Sequence, residues 1–266
     1  MESALRADRH GSAVALKSRE AAYGGRAHAR PHLAVVETPA APRRAHRTGS
    51  ERVHAAVKRA VDVAVATTVL VLCLPVIVVV AVLIVLESPG PVFYRADRVG
   101  RGGKRLRMLK FRKMHHGAKG APLTVAEDQR FTRIGKVLAK LKLDELPQLW
   151  HVLRGEMSII GPRPEDPSFV AERAHDYEAI LRVRPGVTGL SQLAFASESA
   201  ILCKDDPIAH YRDRIFPQKI ALDRMYAAGP TVWMDLRILF WTVAAVALRR
   251  DVAVHRETGR MNLRRR

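Results

Sequence analysis

The longest apolar pattern in the chain runs from Val63 to Leu86, 24 residues without one charged side chain. A helix of that length can cross the ~30 Å hydrocarbon layer of a bilayer. A core helix of a soluble protein is seldom apolar on every face for so long. The pattern therefore predicts a membrane helix. Pro75 near its middle removes a backbone hydrogen bond and predicts a bend. Arg52, Lys58 and Arg59 precede the run, and a dense basic series from Arg95 to Lys113 follows it. Basic flanks mark the cytoplasmic side of a membrane segment. Two basic flanks predict a helix that enters, bends at Pro75 and returns, a re-entrant region over residues 54–91. A spanning helix with a tolerated proline is the alternative.

Downstream the pattern turns mixed. Val92-Phe93-Tyr94 follows the turn signal Ser88-Pro89-Gly90-Pro91 and predicts a short extended segment. Leu106 to Met114 interleaves basic and apolar positions. Phe131, Ile134, Leu138 and Leu141 recur at helical spacing against Arg133, Lys136, Lys140 and Lys142, a basic amphipathic helix suited to a membrane surface. A helix is expected from near Asp144 to just before Gly155, a good terminator. Residues 168–182 and 208–227 also read as helical, and Arg184-Pro185-Gly186 marks a turn. Residues 231–248 are apolar and aromatic but include Asp235 and Arg237, which predicts an interfacial helix rather than a second span.

The fold class expected from these elements is mixed, mostly α with short β, on one membrane helix hairpin. Residues 1–50, without apolar periodicity, read as a disordered basic tail and lack the apolar core and cleavage site of a signal peptide. Residues 92–248 form the expected catalytic domain and 249–266 a basic C-terminal tail.

Charge sharpens the picture. The 45 Lys and Arg outnumber the 26 Asp and Glu, a net +19 concentrated at the two ends of the chain. A partner dense in negative charge is implied: nucleic acid, anionic lipid or a phosphorylated substrate. Cys73 and Cys203 show neither metal spacing nor a disulfide framework, which fits a reducing compartment.

Candidate chemistry centres on Leu143-Asp144-Glu145-Leu146-Pro147-Gln148-Leu149-Trp150. Two adjacent carboxylates stand at an expected helix start, where unpaired N–H groups and the positive end of the helix dipole favour anions. An ionised Asp144 can attack phosphorus and form an acyl-phosphate. Glu145 can hold Mg²⁺, which neutralises a diphosphate. The plainer reading is a helix cap followed by a first-turn acid. Farther on, Pro162 and Pro164 fix the backbone around Arg163, whose planar fork suits a phosphate. Lys110 and Arg112, in Lys110-Phe111-Arg112-Lys113-Met114, offer a second cationic cluster, or simply a basic face turned to the membrane.

Taken in order, these pieces are specific. Lys58-Arg59 and Asp62, Pro75, Ser88-Pro89-Gly90-Pro91-Val92-Phe93, Arg98-Val99-Gly100, Lys110-Phe111-Arg112 and Arg133-Ile134-Gly135 lead to Leu143–Trp150. Ser158–Pro164 and Arg184-Pro185-Gly186-Val187-Thr188-Gly189 complete the set. Over roughly residues 54–245 the chain resembles the bacterial sugar transferase family, the monotopic phosphoglycosyl transferases that initiate exopolysaccharide and glycoconjugate assembly. The resemblance implies a monotopic membrane protein with a re-entrant helix and amphipathic interfacial helices on the cytoplasmic leaflet of the bacterial inner membrane. It implies Asp144 as nucleophile on the sugar-bearing phosphate of a UDP-sugar, release of UMP, and transfer to polyprenyl (undecaprenyl or decaprenyl) phosphate. It also implies Glu145 as the Mg²⁺ residue, with Lys110, Arg112, Arg163, Lys58 and Arg59 handling phosphates.

The sequence departs from the family pattern in places. Ser191 precedes Gln192 where Trp is usual, Leu74 precedes Pro75 where Ser is usual, and His151 stands where Asn is common. Residues 193–205 differ from the usual Ser-Gly-Arg-rich stretch, which bears on sugar specificity. The rival class is a non-enzymatic membrane-anchored basic protein that binds nucleic acid or anionic lipid. Charge explains such binding, but not an Asp-Glu pair beside Pro-Arg-Pro. No nucleic-acid-binding signature appears, so nucleic acid is not an expected partner. A homo-oligomer remains compatible with the sequence.

Overall fold

A computed structural model describes residues 49–120, 123–125, 128–203, 205–248 and 250–263. The basic tail expected over residues 1–50 lies almost wholly outside them.

Helix α1 (Gly49–Glu87) contains the apolar run and continues helically through Pro75. It is long and apolar enough to cross a membrane. It packs on the rest of the chain at two places along its length. Near the start, Asp62 and Ala66 are buried; near the finish, Val80 and Ile84 are buried against Phe111 and Leu138. Between them, most residues from Val71 to Val79 are exposed. Such a bare apolar stretch in a folded chain marks a surface meant for lipid.

A β-hairpin follows. β1 (Phe93–Val99) pairs antiparallel with β2 (Arg105–Phe111) through a 3₁₀ turn at Arg101–Gly103. Alternation decides its faces: Ala96, Leu106 and Met108 point inward, while Asp97 and Arg105 pair on the outside at 2.8 Å. The extended segment foreseen at Val92–Tyr94 is thus the start of a full strand.

α2 (Arg133–Leu141) is the amphipathic helix anticipated from its spacing. Thr132 caps it, its hydroxyl accepting from the Gly135 amide at 2.8 Å. Glu87, the last residue of α1, accepts from the amides of Arg133 and Ile134 at 2.6 and 2.9 Å. The α2 N-terminus and the end of the membrane helix are therefore one joint.

The helix expected near Asp144 begins as a 3₁₀ turn, Leu143–Gln148, and becomes α only as α3 (Leu149–Arg154), stopped at Gly155. Pro147 accounts for the tight start: it has no N–H to give to an i−4 carbonyl. β3 (Ser158–Ile160) pairs parallel with β4 (Gly186–Thr188). Between them lie α4 (Pro167–Glu172) and α5 (Ala174–Ile180), one helix in expectation but broken at Arg173. α6 (Leu190–Ala194) and α7 (Glu198–Ile201) are short. α8 (Pro207–His210), a π-turn (Tyr211–Ile215) and α9 (Phe216–Ala228) form one continuous helical run. α10 (Val232–Leu248) is the helix expected over residues 231–248 and leaves Trp233, Phe240 and Val243 exposed.

The C-terminal segment is more than a basic tail. β5 (Val252–Val254) and β6 (Met261–Leu263) form a hairpin, and Val252 and Met261 are buried in the main core. That core joins Ala66 of α1, Leu106 and Met108 of β2, Val152 of α3 and Leu222 and Tyr226 of α9. A second cluster packs Phe169, Tyr177, Tyr211 and Phe216 around α4, α5 and α9.

Candidate active site

Asp144 and Glu145 lie in the first turn of the 3₁₀ segment, after Lys142, which adopts a left-handed backbone (φ 57°). Asp144 is therefore not the cap residue, and no side chain caps this turn. The Glu145 amide is already given to the Lys142 carbonyl at 3.4 Å. The anion-favouring character of this site comes from side chains more than from free helix amides.

Those side chains are three cations. Lys113 Nζ stands 3.2 Å from Asp144 Oδ2, and Asp144 is 2% exposed. Lys110 Nζ donates to Glu145 Oε1 at 2.9 Å. Arg163 Nη1 approaches the same oxygen at 4.0 Å. Burial alone would raise the Glu145 carboxyl; Lys110 and then Arg163 overcome it and hold the group at about 2. For Lys110, burial prevails over the attraction of Glu145 and brings the ammonium below its usual range. Arg163 is displaced upward: burial opposes its charge, but Glu145, Glu198 and Glu165 support it.

Each cation is placed by backbone. Lys110 sits near the end of β2, and His151 fastens that strand. Its Nε2 accepts the Leu109 amide at 3.0 Å, so its Nδ1 carries the proton directed at Glu156 Oε2, 2.5 Å away. The unusual His151 thus acts as a strand clamp. Lys113 is set by close approach: a Cβ at Gly135 would overlap the Lys113 carbonyl, and the Thr132 amide donates to that carbonyl at 3.2 Å. Only glycine lets α2 lie so near.

Arg163 is held from both sides. Gly161 N donates to Thr188 O at 3.0 Å and Gly186 N to Pro162 O at 2.8 Å. Beyond Pro164, Glu165 is buried, accepting from Tyr211 at 2.9 Å with Lys219 at 3.5 Å. Burial would raise the Glu165 carboxyl, but Lys219 and Arg163 hold it at about 2. Asp223 on α9 is buried nearby with Oδ1 unpartnered, and burial lifts its carboxyl to about 7 against the pull of Ser191 and Lys219.

The remaining candidates lie elsewhere. Arg112 turns from the dyad to the end of α1, donating to the carbonyls of Ile84 (3.4 Å), Pro89 (3.0 Å) and Ser88. A cation at a helix C-terminus satisfies orphan carbonyls and the dipole. Arg59 does the same for α3, donating to Val152 O at 2.5 Å and Leu153 O at 2.8 Å. Lys58 pairs with Asp235 at 2.7 Å, and Asp235 also takes the Tyr226 hydroxyl at 2.7 Å. In this structure Arg112, Lys58 and Arg59 brace the membrane helix against the catalytic body rather than face Asp144. Asp62 completes the brace, accepting from Ser158 Oγ at 2.8 Å and the Ile159 amide at 3.0 Å. Pro75 lies in the exposed stretch of α1, away from the site.

From the sequence alone, neither Lys113 nor Lys142 had a place beside the dyad, and neither Glu165 nor Lys219 had one beside Arg163. Lys113 was visible within the basic cluster, but its reach toward Asp144 depends on the Gly135 contact. Lys219 and Glu165 are 54 residues apart and meet only through packing. Among the described residues no group of three or more His, Cys, Asp or Glu side chains could hold a metal ion. The donor chemistry still suits Mg²⁺, which binds through one or two carboxylates and completes its shell with water and substrate phosphate.

A family model described as bacterial sugar transferase matches residues 53–249. The chain is 38% identical over 201 residues to the UDP-N-acetylgalactosamine-undecaprenyl-phosphate N-acetylgalactosaminephosphotransferase of Aeromonas hydrophila, covering 73% of this chain and 44% of that protein. It is 37% identical over 197 residues to the UDP-glucose:undecaprenyl-phosphate glucose-1-phosphate transferase of Caulobacter vibrioides, covering 71% and 69%. The exopolysaccharide production protein PSS of Rhizobium leguminosarum is 36% identical over 198 residues, covering 71% and 94%. The chain thus spans less than half the length of the Aeromonas protein.

Proposed function

Since the chain belongs to the bacterial sugar transferase family, we propose that it moves a phospho-sugar from a UDP-sugar to polyprenyl phosphate at the cytoplasmic face of the inner membrane. The observation that carries this reading is the carboxylate pair of buried Asp144 and half-buried Glu145, faced by Lys113, Lys110 and Arg163. A nucleophile beside converging cations suits an electrophile that is itself an anion, as a diphosphate is.

Asp144 attacks the sugar-bearing phosphorus. A carboxylate O–P bond forms, the P–O bond to UMP breaks, and UMP leaves with the oxygen and the bonding electrons. A phosphate oxygen of polyprenyl phosphate then attacks the same phosphorus and frees the Asp144 carboxylate. Lys113 orients Asp144, while Lys110 and Arg163 draw charge from the diphosphate. Glu145 would hold Mg²⁺, which supplies further neutralisation of the phosphates.

The lipid acceptor requires the site to lie at the membrane surface, and the contacts of α1 support this. A straight 39-residue helix would be ~58 Å long, nearly twice the hydrocarbon thickness. Packed on the rest of the chain at two places and with an exposed apolar middle around Pro75, α1 reads as a re-entrant anchor. The exposed Val137 and Leu141 of α2 and Trp233 and Phe240 of α10 would rest at the same interface.

The test uses detergent-solubilised protein and a UDP-sugar labelled in its sugar. UMP should appear and label should remain on the protein before polyprenyl phosphate is added, then leave with the lipid. Asp144→Asn should retain no label, because an amide cannot replace the carboxylate in this attack. Label retained on Asp144→Asn would overturn the nucleophile assignment.

A further inference from the structure

Asp223 on α9 is a buried acid that the proposed chemistry does not use. It is 2% exposed, and its Oδ1 has no hydrogen-bond partner. The donors around it are committed elsewhere. On its own helix, Lys219 gives its ammonium to Glu198 and to the Tyr211 hydroxyl, each at 2.9 Å, and reaches Glu165 at 3.5 Å. Arg224 pairs with Asp176 of α5 at 2.9 Å. From α6, Ser191 donates to Gln192 Oε1 at 3.0 Å. Tyr177 of α5 is a phenol that burial keeps neutral, and Glu165 is itself an anion that acts on Asp223. An ionised carboxylate enclosed in this way, with no cation of its own, is costly. The geometry thus favours the neutral acid, in keeping with a carboxyl that burial lifts to about 7. One further group touches it, the amide of Arg163. Because Pro162 and Pro164 have no N–H, that amide is the one backbone donor of the turn.

We propose that Asp223 is a positioning residue of the donor site: as a neutral acid it seats the Pro162-Arg163-Pro164 turn on α9, and loss of its proton weakens the hold of Arg163 on the donor's diphosphate. This deepens, and rests on, the reading of Arg163 as a diphosphate ligand. Charge carries the argument. With Asp223 neutral, the cations Arg163 and Lys219 are matched by Glu165 and Glu198. Ionisation adds one negative charge to that buried set. The new carboxylate pulls on the Arg163 amide, the group it already touches, and opposes a phosphate arriving at the guanidinium of the same residue. Coupling of this kind is reciprocal, so a bound diphosphate raises the affinity of Asp223 for its proton. Donor and proton therefore favour each other's binding, while the chemical step, with the donor in place and Asp223 neutral, is little changed.

The test follows UMP release by the intact protein from about pH 6 to about pH 9, with whichever of UDP-glucose, UDP-galactose and their two N-acetylated counterparts turns over fastest. The profile of kcat/KM reports groups of the free enzyme, and that of kcat reports groups of the donor complex. As pH rises through about 7, KM should rise at least about fivefold while kcat changes less than about twofold. Asp223→Asn keeps the shape of the side chain and stays neutral, so this inflection should vanish. Ser191→Ala removes a hydroxyl that favours the ionised form, so the inflection should move to higher pH. That variant decides the matter alone if Asp223→Asn does not fold. An inflection that persists in Asp223→Asn would overturn the proposal, as would one that Ser191→Ala leaves in place. A flat KM, or a change carried by kcat, would also overturn it. An unchanged KM in Arg163→Ala would instead overturn the reading of Arg163, and absence of UMP release from every UDP-sugar would overturn the reaction proposed above.

Discussion

Replacing Lys110 with Met isolates what holds the Glu145 carboxylate ionised. The Lys110 ammonium lies 2.9 Å from Glu145 Oε1, and both side chains are largely out of water, 12% and 22% exposed. Glu145 moves from the ordinary 4.5 to about 2 in the folded chain. A carboxyl depressed in this way stabilises the fold above its unfolded pKa, and the stabilisation is lost as pH falls through the folded value. A shift of this size corresponds to something on the order of 3 kcal/mol at pH 7, falling to roughly half by pH 3. In Lys110→Met, Arg163 at 4.0 Å and the weaker pull of Lys142 remain to oppose burial, so most of that term should vanish at pH 7. The expected loss is about 3 kcal/mol at pH 7, shrinking toward acid, by denaturant unfolding of protein in one detergent at several pH values. Glu145→Gln closes a double-mutant cycle, and in that background Lys110→Met should cost less than about 1 kcal/mol. Equal losses at pH 7 and about pH 3, or an unchanged cost in the Gln background, would refute the ion-pair argument.

Arg163→Ala should lower kcat/KM at least about tenfold, some 1.4 kcal/mol of transition-state stabilisation, and normal turnover at normal expression would make Arg163 a loop residue. Gly135→Ala should destabilise the protein by about 1–3 kcal/mol, because the new methyl overlaps the Lys113 carbonyl. The same variant should slow label transfer to Asp144, and an unchanged melting curve would mean α2 is free to withdraw. Cysteines introduced near Arg52 and Lys104 should both resist an impermeant reagent in intact cells, while labelling of one flank from outside would exclude a re-entrant α1. Pro75→Leu should favour a spanning orientation and expose one flank in the same assay.

What the sequence made legible was periodic or local. The uncharged run, the 3.6-residue spacing of α2 and the apolar α10 all carry their signal within one element. So does the Asp144-Glu145 pair, which needs no distant partner to be noticed. The three-residue strands β3 and β4 are too short to show any period, and their pairing follows from backbone contact among Gly161, Gly186 and Gly189. β2 was hidden by its lysines and arginines, although Leu106, Met108 and Lys110 alternate as a half-buried strand should. The destinations of Arg112, Lys58 and Arg59 were illegible for another reason. A basic residue in a phosphate-handling protein reads as a phosphate ligand, and only the tertiary fold shows orphan carbonyls waiting for it. Pro147 stood in view in a segment expected to be α-helical, but its consequence, 3₁₀ geometry in place of a capped α-helix, needed the packing of Lys142 and α2.

The Asp62 bond has a consequence for how the molecule is born. Its partners, Ser158 and Ile159, lie 96 and 97 residues farther along the chain. At ~5–20 residues per second, a ribosome takes roughly 5–20 s to deliver them after Asp62 has emerged. Throughout that interval an apolar helix carries an unpaired acid at its rim, and Arg59 likewise waits for the carbonyls of Val152 and Leu153. The nascent anchor is therefore more polar at its entrance than the finished one. The bonds that fasten α1 to the rest of the chain therefore close only after residues 152–159 have been made.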